Sequence, residues 1–346
     1  SFNPLHLFRS MNKLAALLFI ACFIYSCGEK KNIPDVSGIQ VQVDIKRFDE
    51  DFFAADTAKM EEHLNALQKK YPSFLTDYLY NILAVPPQPD SVVAKVKMFL
   101  RDYRVIYDSA QRSFASIDEI SKQIDRSFQF VKYYFPEYKL PHHVIMFIGP
   151  VEGYANVLTT EGLAVGLQLY LGKDFPIYHT DYINAVYPEY QSRRFDPQYI
   201  PVNCIKNIID DIYPDSKPDM PLAYQMVEAG KKLYVLDQLL PETADSLKTG
   251  YTQKQLDGCF ENEGLIWNYF LQNNLLYETD PSLTREYMND GPKTELLGDA
   301  SPGFIGQFVG WQIVKKWMEI NKQKSLPELL HTPAKQIFEE AKYKPR

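Results

Sequence analysis

One amphipathic segment, residues Tyr199–Ile212, constrains the fold of this chain more than any other stretch. Its sequence is YIPVNCIKNIIDDI, and its branched apolar residues recur at the intervals of a helix: Val202, Ile205, Ile208, Ile209 and Ile212. This spacing predicts a helix with one face packed into a core. Asn203 and Asn207 stand one turn apart on a neighbouring face. The rest of the chain therefore has to supply a hydrophobic core against which this helix packs, and the environment of the two asparagine side chains.

The two asparagines occupy the positions at which the helix of an H-E-x-x-H zinc peptidase carries its histidines. In this alignment Asn203 and Asn207 replace the two imidazoles, and Cys204 replaces the general-base glutamate. A carboxamide oxygen is a poor zinc ligand, and without the carboxylate no local group deprotonates a bound water. Two asparagines at this spacing are also common on a solvated helix face. The segment alone therefore predicts either a solvated face or a degenerate former metal site.

Near the start of the sequence, Met11 and Lys13 precede a short apolar run, residues 14–25, which has the character of an export signal. The run is too short to cross a membrane, because a spanning helix needs about 20 residues. It ends in IYSCG, which resembles the lipobox of bacterial lipoproteins and predicts lipidation of Cys27 after cleavage. The alternative is an uncleaved anchor with a chance cysteine. We expect a lipid-anchored protein that faces the periplasm, on a membrane that the sequence does not specify.

The composition after the signal is that of a folded, acidic protein. Hydrophobic residues make up 45% and aromatic residues 14% of the chain, with 24 Tyr and 21 Phe, which excludes disorder. A formal net charge of −7 and a pI near 5.5 argue against a nucleic-acid partner, since no basic stripe is present. Cys204 and Cys259 are left as thiols that either pair with each other or stay free and buried.

Periodic patterns along the chain predict an α+β fold that is predominantly helical. Alternation over residues 39–48 predicts a first strand, and the apolar runs 143–148 and 163–171 predict two buried strands. The polar stretch between those runs, residues 149–162, predicts a loop. Besides the central segment, helical spacing covers residues 49–80, 92–115, 117–135, 220–240, 256–277, 301–320 and 326–340. In the segment 301–320, glycines at 303, 306 and 310 predict close helix packing.

The character of the sequence changes at Pro141, which suggests three regions. Residues 1–27 are predicted to comprise a lipoprotein signal peptide and the residues upstream of it, and residues 28–140 a mostly helical N-terminal region. Residues 141–346 are predicted to form a zincin-like region that lacks the H-E-x-x-H motif, because two strands followed by the central helix is the order of zincin peptidases. Arg193 and Arg194 precede that helix, and solvation is favoured over an acidic ligand as their role.

A third former metal ligand would be an acidic residue beyond the central helix. Glu228 follows Asn207 by 21 residues, a spacing compatible with the glutamate ligand of such peptidases, and Glu263 is a rival for the same role. The histidines after Met11 form no pair one helical turn apart: His63, His142, His143, His179 and His331. No GxSxG elbow, phosphate-binding glycine loop or CxxC is present. We therefore expect no metal, no cofactor and no catalytic residue.

Several long motifs resemble the GldB family of gliding-motility lipoproteins over nearly the whole mature chain. Besides the lipobox, these motifs are HVIMFIG, GLAVGLQLYLG, EAGKKLYVLDQLLPE, NEGLIWNYF, PGFIGQFVGWQIV and YKPR. GldB is in turn similar to predicted H-E-x-x-H zinc peptidases. The resemblance implies a role in gliding motility, and a degenerate zincin-like core with a small β-sheet next to the central helix. It also implies a former metal site at Asn203, Cys204, Asn207 and Glu228.

Three functions remain open from the sequence. The first is a non-catalytic lipoprotein that binds a protein partner of the gliding or secretion machinery in its former cleft. The second is a hydrolase, either a zinc metallopeptidase with unconventional ligands such as His143, Glu228 and Glu263, or a cysteine hydrolase that uses Cys204. The third is a structural component of the envelope with no pocket function.

Overall fold

Four short strands form a mixed β-sheet in the part of the chain that the computed structural model describes, residues 33–215 and 220–345. The strands are β1 (Asp44–Arg47), β2 (His143–Phe147), β3 (Asn156–Leu158) and β4 (Leu163–Gly166), in the spatial order β1-β2-β4-β3. β1, β2 and β4 run parallel, and β3 pairs with β4 in the antiparallel direction. The predicted signal peptide and Cys27 lie outside the described residues.

The two inner strands are buried on both faces, as their unbroken apolar sequences predict. Val144 to Phe147 are inaccessible to solvent in β2, and every residue of β4 is buried. The predicted strand over residues 163–171 is too long, since the chain turns into a 3₁₀-helix at Leu167–Leu169. The predicted loop over residues 149–162 contains β3, so that part of the prediction is wrong. The first strand is also shorter than predicted: pairing with β2 begins only at Asp44, and a helix begins at Phe48.

Six helices precede β2 in the described residues. They are α1 (Phe48–Phe53), α2 (Met60–Lys70), α3 (Phe74–Asp77), α4 (Pro89–Asp102), α5 (Arg104–Ser113) and α6 (Asp118–Tyr134), with a π-helical turn at Tyr78–Ile82 after α3. The continuous helix predicted over residues 92–115 is interrupted at Tyr103. The Tyr103 ring stacks on Phe99 with 4.2 Å between ring centroids, and its hydroxyl accepts a hydrogen bond from Val151 N. A tertiary contact therefore accompanies the break.

The helices that follow the sheet include the central segment with the predicted bounds. They are α7 (Asp181–Val186), α8 (Glu189–Ser192), α9 (Tyr199–Ile212), α10 (Leu222–Leu239), α11 (Asp245–Thr249), α12 (Gln253–Glu261), α13 (Glu263–Gln272), α14 (Pro281–Met288), α15 (Ile305–Ile320), α16 (Leu326–His331) and α17 (Ala334–Ala341). Short 3₁₀ turns lie at Thr57–Lys59, Pro176–His179 and Glu295–Leu297. The expected α+β class with predominant helix is confirmed.

An aromatic cluster joins the N-terminal helices to the sheet. Phe48 lies at its centre, with 4.7 to 5.5 Å between its ring centroid and those of Phe52, Tyr71, Phe74 and Tyr78. Phe74 and Tyr78 each lie 6.0 Å from Phe147 of β2. Burial of each large aromatic side chain contributes about 2–3 kcal/mol, and edge-to-face pairing adds to this. The sequence before residue 140 thus shares one core with the sequence after it.

Two glycines let α10 and α15 approach each other at backbone distance. A Cβ at Gly310 would overlap the carbonyl of Met226, and one at Gly230 would overlap the backbone of Gly310. The side of Gly306 is occupied by Met288 of α14. The close packing predicted for this glycine series is therefore confirmed.

Residues 36–215 and 220–345 lie in one compact unit. Its sheet takes β1 from the region before residue 140 and the other strands from the region after it. The division at residue 140 stays a prediction. Across the described residues, every helix is too short or too polar to span a membrane.

Candidate functional site

The central helix α9 lies beside the antiparallel edge of the sheet, in contact with β3, β4, α6 and α10. Its apolar face is completely buried, from Ile200 through Val202, Ile205 and Ile208. The neighbouring face carries Asn203 and Cys204 towards residues of the sheet edge. Two of the three residues that align with H-E-x-x-H, Asn203 and Cys204, therefore contact residues at the sheet edge.

A chain of hydrogen bonds ties two of these residues to the sheet edge. Asn203 Nδ2 donates to the Tyr170 hydroxyl at 2.8 Å, and that hydroxyl donates to Asn156 Oδ1. Asn156 Nδ2 in turn donates to Cys204 Sγ at 3.5 Å. Every link joins neutral groups, so the network positions side chains without supplying a charge.

The Cys204 thiol is a poor nucleophile in this setting. Burial raises its pKa to about 12, and the hydrogen bond from Asn156 offsets this only in part. Burial likewise holds the pKa of Tyr170 well above its usual range. A nucleophilic cysteine needs a depressed pKa or an adjacent base, and neither accompanies this sulfur. Cys204 and Cys259 are both free and buried, which decides between the two states predicted for them.

Asn207 is separate from this network. Its Oδ1 atom is buried and has no hydrogen-bond partner among the described residues. An unsatisfied buried acceptor costs about 1–3 kcal/mol. Asn207 is therefore a destabilising position in α9 rather than part of the bonded cluster.

Glu228 of α10 lies in a different network at the C-terminal end of α9. Its Oε2 accepts from the Tyr213 hydroxyl at 2.9 Å, and its Oε1 pairs with Lys231 Nζ at 2.8 Å. Lys231 is only 1% exposed and also donates to the Leu330 carbonyl. Burial lowers the pKa of Lys231, and the Glu228 carboxylate opposes that change. Both oxygens of Glu228 are thus engaged in a buried structural cluster.

The other residues considered as metal ligands lie apart from this cluster and from each other. His143 Nδ1 lies 3.0 Å from Asp44 Oδ2 on the neighbouring strand β1 but makes no hydrogen bond among the described residues, and Glu263 accepts from the Tyr343 hydroxyl at 2.5 Å. Among residues 33–215 and 220–345, no three His, Cys, Asp or Glu side chains are arranged to hold a metal ion.

A cavity of about 260 Å³ opens beside the Asn203–Tyr170 pair. Its polar lining includes Asn203, Lys206, Arg194 and Gln191, and its aromatic lining Tyr170, Tyr187, Phe195 and Tyr199. Burial, and to a smaller extent the charge of Arg194, lowers the pKa of the Lys206 ammonium to about 8, although Asp210 and Asp290 oppose the change. The cavity therefore combines a cation with aromatic walls.

The arginine pair ahead of α9 is not simply solvated, contrary to expectation. Arg193 Nη2 donates to the Gly250 carbonyl at 2.6 Å, and Arg194 forms an ion pair with Asp290. Gly250 has a φ of +72°, and a Cβ there would come within 3.0 Å of Arg194 Nη1. Glycine at this position thus gives the end of α11 its left-handed turn and leaves room for the guanidinium.

Comparison with models of protein families identifies the family of this chain. The family described as gliding motility protein GldB matches residues 29–345, which is nearly the whole sequence. The chain belongs to the GldB family. Membership implies a role in gliding motility, and the lipoprotein label of that family model suggests a location at the cell envelope. Comparison with curated proteins found no match, and comparison with solved structures found none.

Sequence reasoning missed three residues of the cavity and network in this GldB-family chain. Asn156 lies in the segment predicted as a loop, and Tyr170 follows an apolar strand by a 3₁₀ turn. Neither position carries a local signal of chemistry. Lys206 lies inside the N-C-I-K-N stretch, one helical turn after Asn203. That spacing is the signal by which sequence reasoning could have identified it.

Proposed function

We propose that this chain is a membrane-anchored lipoprotein of the gliding machinery, or of the secretion apparatus associated with it, and that it acts as a non-catalytic binding or scaffold component. The chemistry of α9 carries this proposal. Two amides and a thiol that burial keeps protonated stand where a zinc peptidase has two imidazoles and a carboxylate. A metal-bound water needs both the imidazoles to hold the ion and the carboxylate to take a proton.

A degenerate zincin-like core is supported by the position of α9. The helix packs against β3, the one antiparallel strand of the described sheet, and Asn156 of that strand contacts Cys204. The cavity opens at this sheet edge and is lined by Asn203, one of the residues that align with H-E-x-x-H. Glu228 would be the remnant of the third ligand, now recruited by Tyr213 and Lys231.

The lipid anchor is proposed from the sequence alone. The apolar run 14–25 followed by IYSCG supports lipidation at Cys27 and a location on a membrane facing the periplasm. Metabolic labelling with a radioactive fatty acid tests this, with Cys27→Ser as the variant that should lose the label. Labelling of both chains alike would refute the assignment.

Metal content and hydrolysis test the non-catalytic role directly. The chain from Gly28 onward is purified without chelator, its zinc content is determined by elemental analysis, and a mixed peptide library is assayed for cleavage. We expect zinc well below one ion per chain and no hydrolysis. Stoichiometric zinc with cleavage would instead support the hydrolase, whose ligands would then be sought at His143, Glu228 and Glu263.

Filling the cavity tests the binding role. Ala155 lines the cavity of about 260 Å³, so Ala155→Phe should occupy it, whereas Ala244→Phe places the same ring in a separate groove of about 660 Å³ near α6. Each variant is expressed in a gliding bacterium from which the corresponding gene is deleted. We expect Ala155→Phe to abolish gliding at a normal level of folded protein and Ala244→Phe to restore gliding. Normal gliding with both variants would refute a binding role for this cavity.

A further inference from the structure

One of the two cations that line the cavity beside Asn203 forms no ion pair within the described residues. Lys206 lines it and forms no hydrogen bond or ion pair with any described residue. The two lysines whose side chains are only 1% exposed both have acidic partners, Lys231 with Glu228 and Lys248 with Asp237. A buried or partly buried ammonium is normally paired, because removal of a charge from water costs free energy. Lys206 therefore differs from the two buried lysines, Lys231 and Lys248, each of which is paired.

The other charges near Lys206 are already engaged. Arg194 pairs with Asp290, and Arg193 donates to the Gly250 carbonyl. Asp210, one turn along α9, pairs with Lys232 at 2.7 Å. One ammonium is thus left to interact with a bound molecule. A single ammonium suits a monoanion such as a carboxylate better than a phosphate, which is usually held by several donors.

The other residues that line the cavity indicate which chemical group the bound anion carries. Tyr170, Tyr187, Phe195 and Tyr199 enclose the cavity with Leu169 and Ala155, so an inorganic ion would leave most of this surface without a contact. A volume of about 260 Å³ is slightly smaller than that of most ligand pockets, which span about 300–1,000 Å³. The cavity is partly open to solvent, so it fits the end of a longer molecule or a small free one.

We propose that this cavity binds a carboxylate joined to a short apolar group, as at the C-terminal residue of a polypeptide, with Lys206 as the pairing cation. The remaining N–H of the Asn203 amide would donate to the backbone of that residue, and the aromatic rings would pack on its side chain. The inference rests on the proposed function, since it assigns a ligand class to the same cleft.

Calorimetric titration of the chain from Gly28 onward with defined probes tests the proposal. The probes are N-acetylated tetrapeptides of alanine that end in leucine or phenylalanine, each as the free acid and as the C-terminal amide, together with N-acetyl-phenylalanine. We expect the free acids to bind at least about tenfold more tightly than the amides, as one charge-assisted hydrogen bond predicts. Equal affinity of acid and amide, or no binding of any probe, would overturn the proposal.

Three variants assign the effect to Lys206. Lys206→Met should weaken binding of the free acids by about tenfold or more, and Lys206→Arg should keep most of the affinity, since the charge remains. Lys232→Met is the matched control, because Lys232 does not line this cavity and its charge is already paired. Unchanged affinity in Lys206→Met, with its fold confirmed by thermal unfolding, would overturn the assignment.

The same titrations separate this inference from the proposed function. Mass spectrometry of each probe after the titration reports whether the peptide is intact. Cleaved peptide would refute the non-catalytic role while the dependence on Lys206 still stood, and intact peptide without binding would refute the carboxylate site alone. Equal affinity for N-acetyl-phenylalanine and the tetrapeptides would support the carboxylate site and assign it to a free acid.

Discussion

Replacement of Lys206 by methionine should stabilise the protein, although most core-facing substitutions destabilise it. Methionine keeps an unbranched side chain of similar length and removes the ammonium. At pH 7 the folded protein holds that charge in a partly buried cavity wall, without an ion-pair partner. The unfolded chain holds the same charge in water. The substitution therefore removes a penalty that only the folded state carries.

The size of the effect follows from the pKa of Lys206. A fall from 10.5 to about 8 corresponds to roughly 3 kcal/mol of disfavoured charge in the folded state. Part of the side chain reaches solvent, which screens the penalty, so we expect Lys206→Met to raise the free energy of unfolding by about 1–2 kcal/mol at pH 7. Such a change is large compared with the total free energy of unfolding of a typical protein, which is about 5–15 kcal/mol.

The gain should shrink as the pH rises. Below pH 8, Lys206 is protonated in both states and the penalty is fully present. Between pH 8 and 10.5 the unfolded chain binds more protons at this residue than the folded chain, so the stability of the natural protein rises relative to the variant. The groups that set this pKa, Arg194, Asp210 and Asp290, are common to both chains. The buried thiols and tyrosines also titrate alike in both, and they cancel in the difference.

Urea unfolding of both chains at pH 7 and at about pH 9.5 measures this difference. Lys232→Met serves as the control, because it breaks contacts with Asp210 and Asp215 and should be neutral or destabilising by up to about 1 kcal/mol. Loss of stability in Lys206→Met at pH 7, or a gain that does not change with pH, would refute the account of Lys206 as an unpaired buried charge.

Three further substitutions or measurements check other parts of the structure. Gly310→Ala should lower the free energy of unfolding by more than about 3 kcal/mol or prevent folding, because the Cβ would overlap Met226. The Cβ of Gly258→Ala meets nothing within 4 Å, so this control should raise the free energy of unfolding by up to about 1 kcal/mol. Thermal unfolding that ranks the two variants otherwise would contradict the packing of α10 on α15. Asn207→Leu removes an unsatisfied acceptor and should be neutral or stabilising by about 1 kcal/mol in urea unfolding, and a clear loss would show that the Asn207 amide has a partner. Cys204 and Cys259 should react with dithionitrobenzoate only after unfolding, since burial raises the pKa of each thiol to about 12; rapid reaction of the native protein would show that a thiol is accessible.

The helical part of this fold was predictable because long amphipathic segments carry a strong periodic signal. The bounds of α9 agree with its predicted bounds, since Gln198 and Tyr213 flank an unbroken pattern. The interruption at Tyr103 was not predictable, because it coincides with contacts to Phe99 and Val151 that the local sequence does not encode. β3 was missed for a similar reason, since three residues carry no periodicity and their pairing with β4 defines the strand.

Only the residues of the candidate site that lie on α9 were predictable from the sequence. Asn203 and Cys204 were found because they lie on one helix at a known spacing. Their partners Asn156 and Tyr170 reach them from the sheet edge, and nothing in their neighbouring residues indicates this contact. Glu228 was chosen by spacing, which could not show that Tyr213 and Lys231 engage both of its oxygens. Pairwise contacts between distant segments decide such details, and a single sequence does not display them.

The pairing of β1 with β2 also affects how the chain folds. Asp44 pairs with His143, so about 100 residues and six helices form a loop that has to close before the first strand can join the sheet. Closure of a flexible loop of that length costs about 4 kcal/mol of chain entropy, and contacts so distant in sequence slow folding. We expect the helical segment between the two strands to collapse first and shorten this search, with the aromatic ring of Phe48 already packed when β1 docks. β1 is then the last strand to join the sheet, and a variant that weakens the aromatic cluster should slow refolding more than it speeds unfolding.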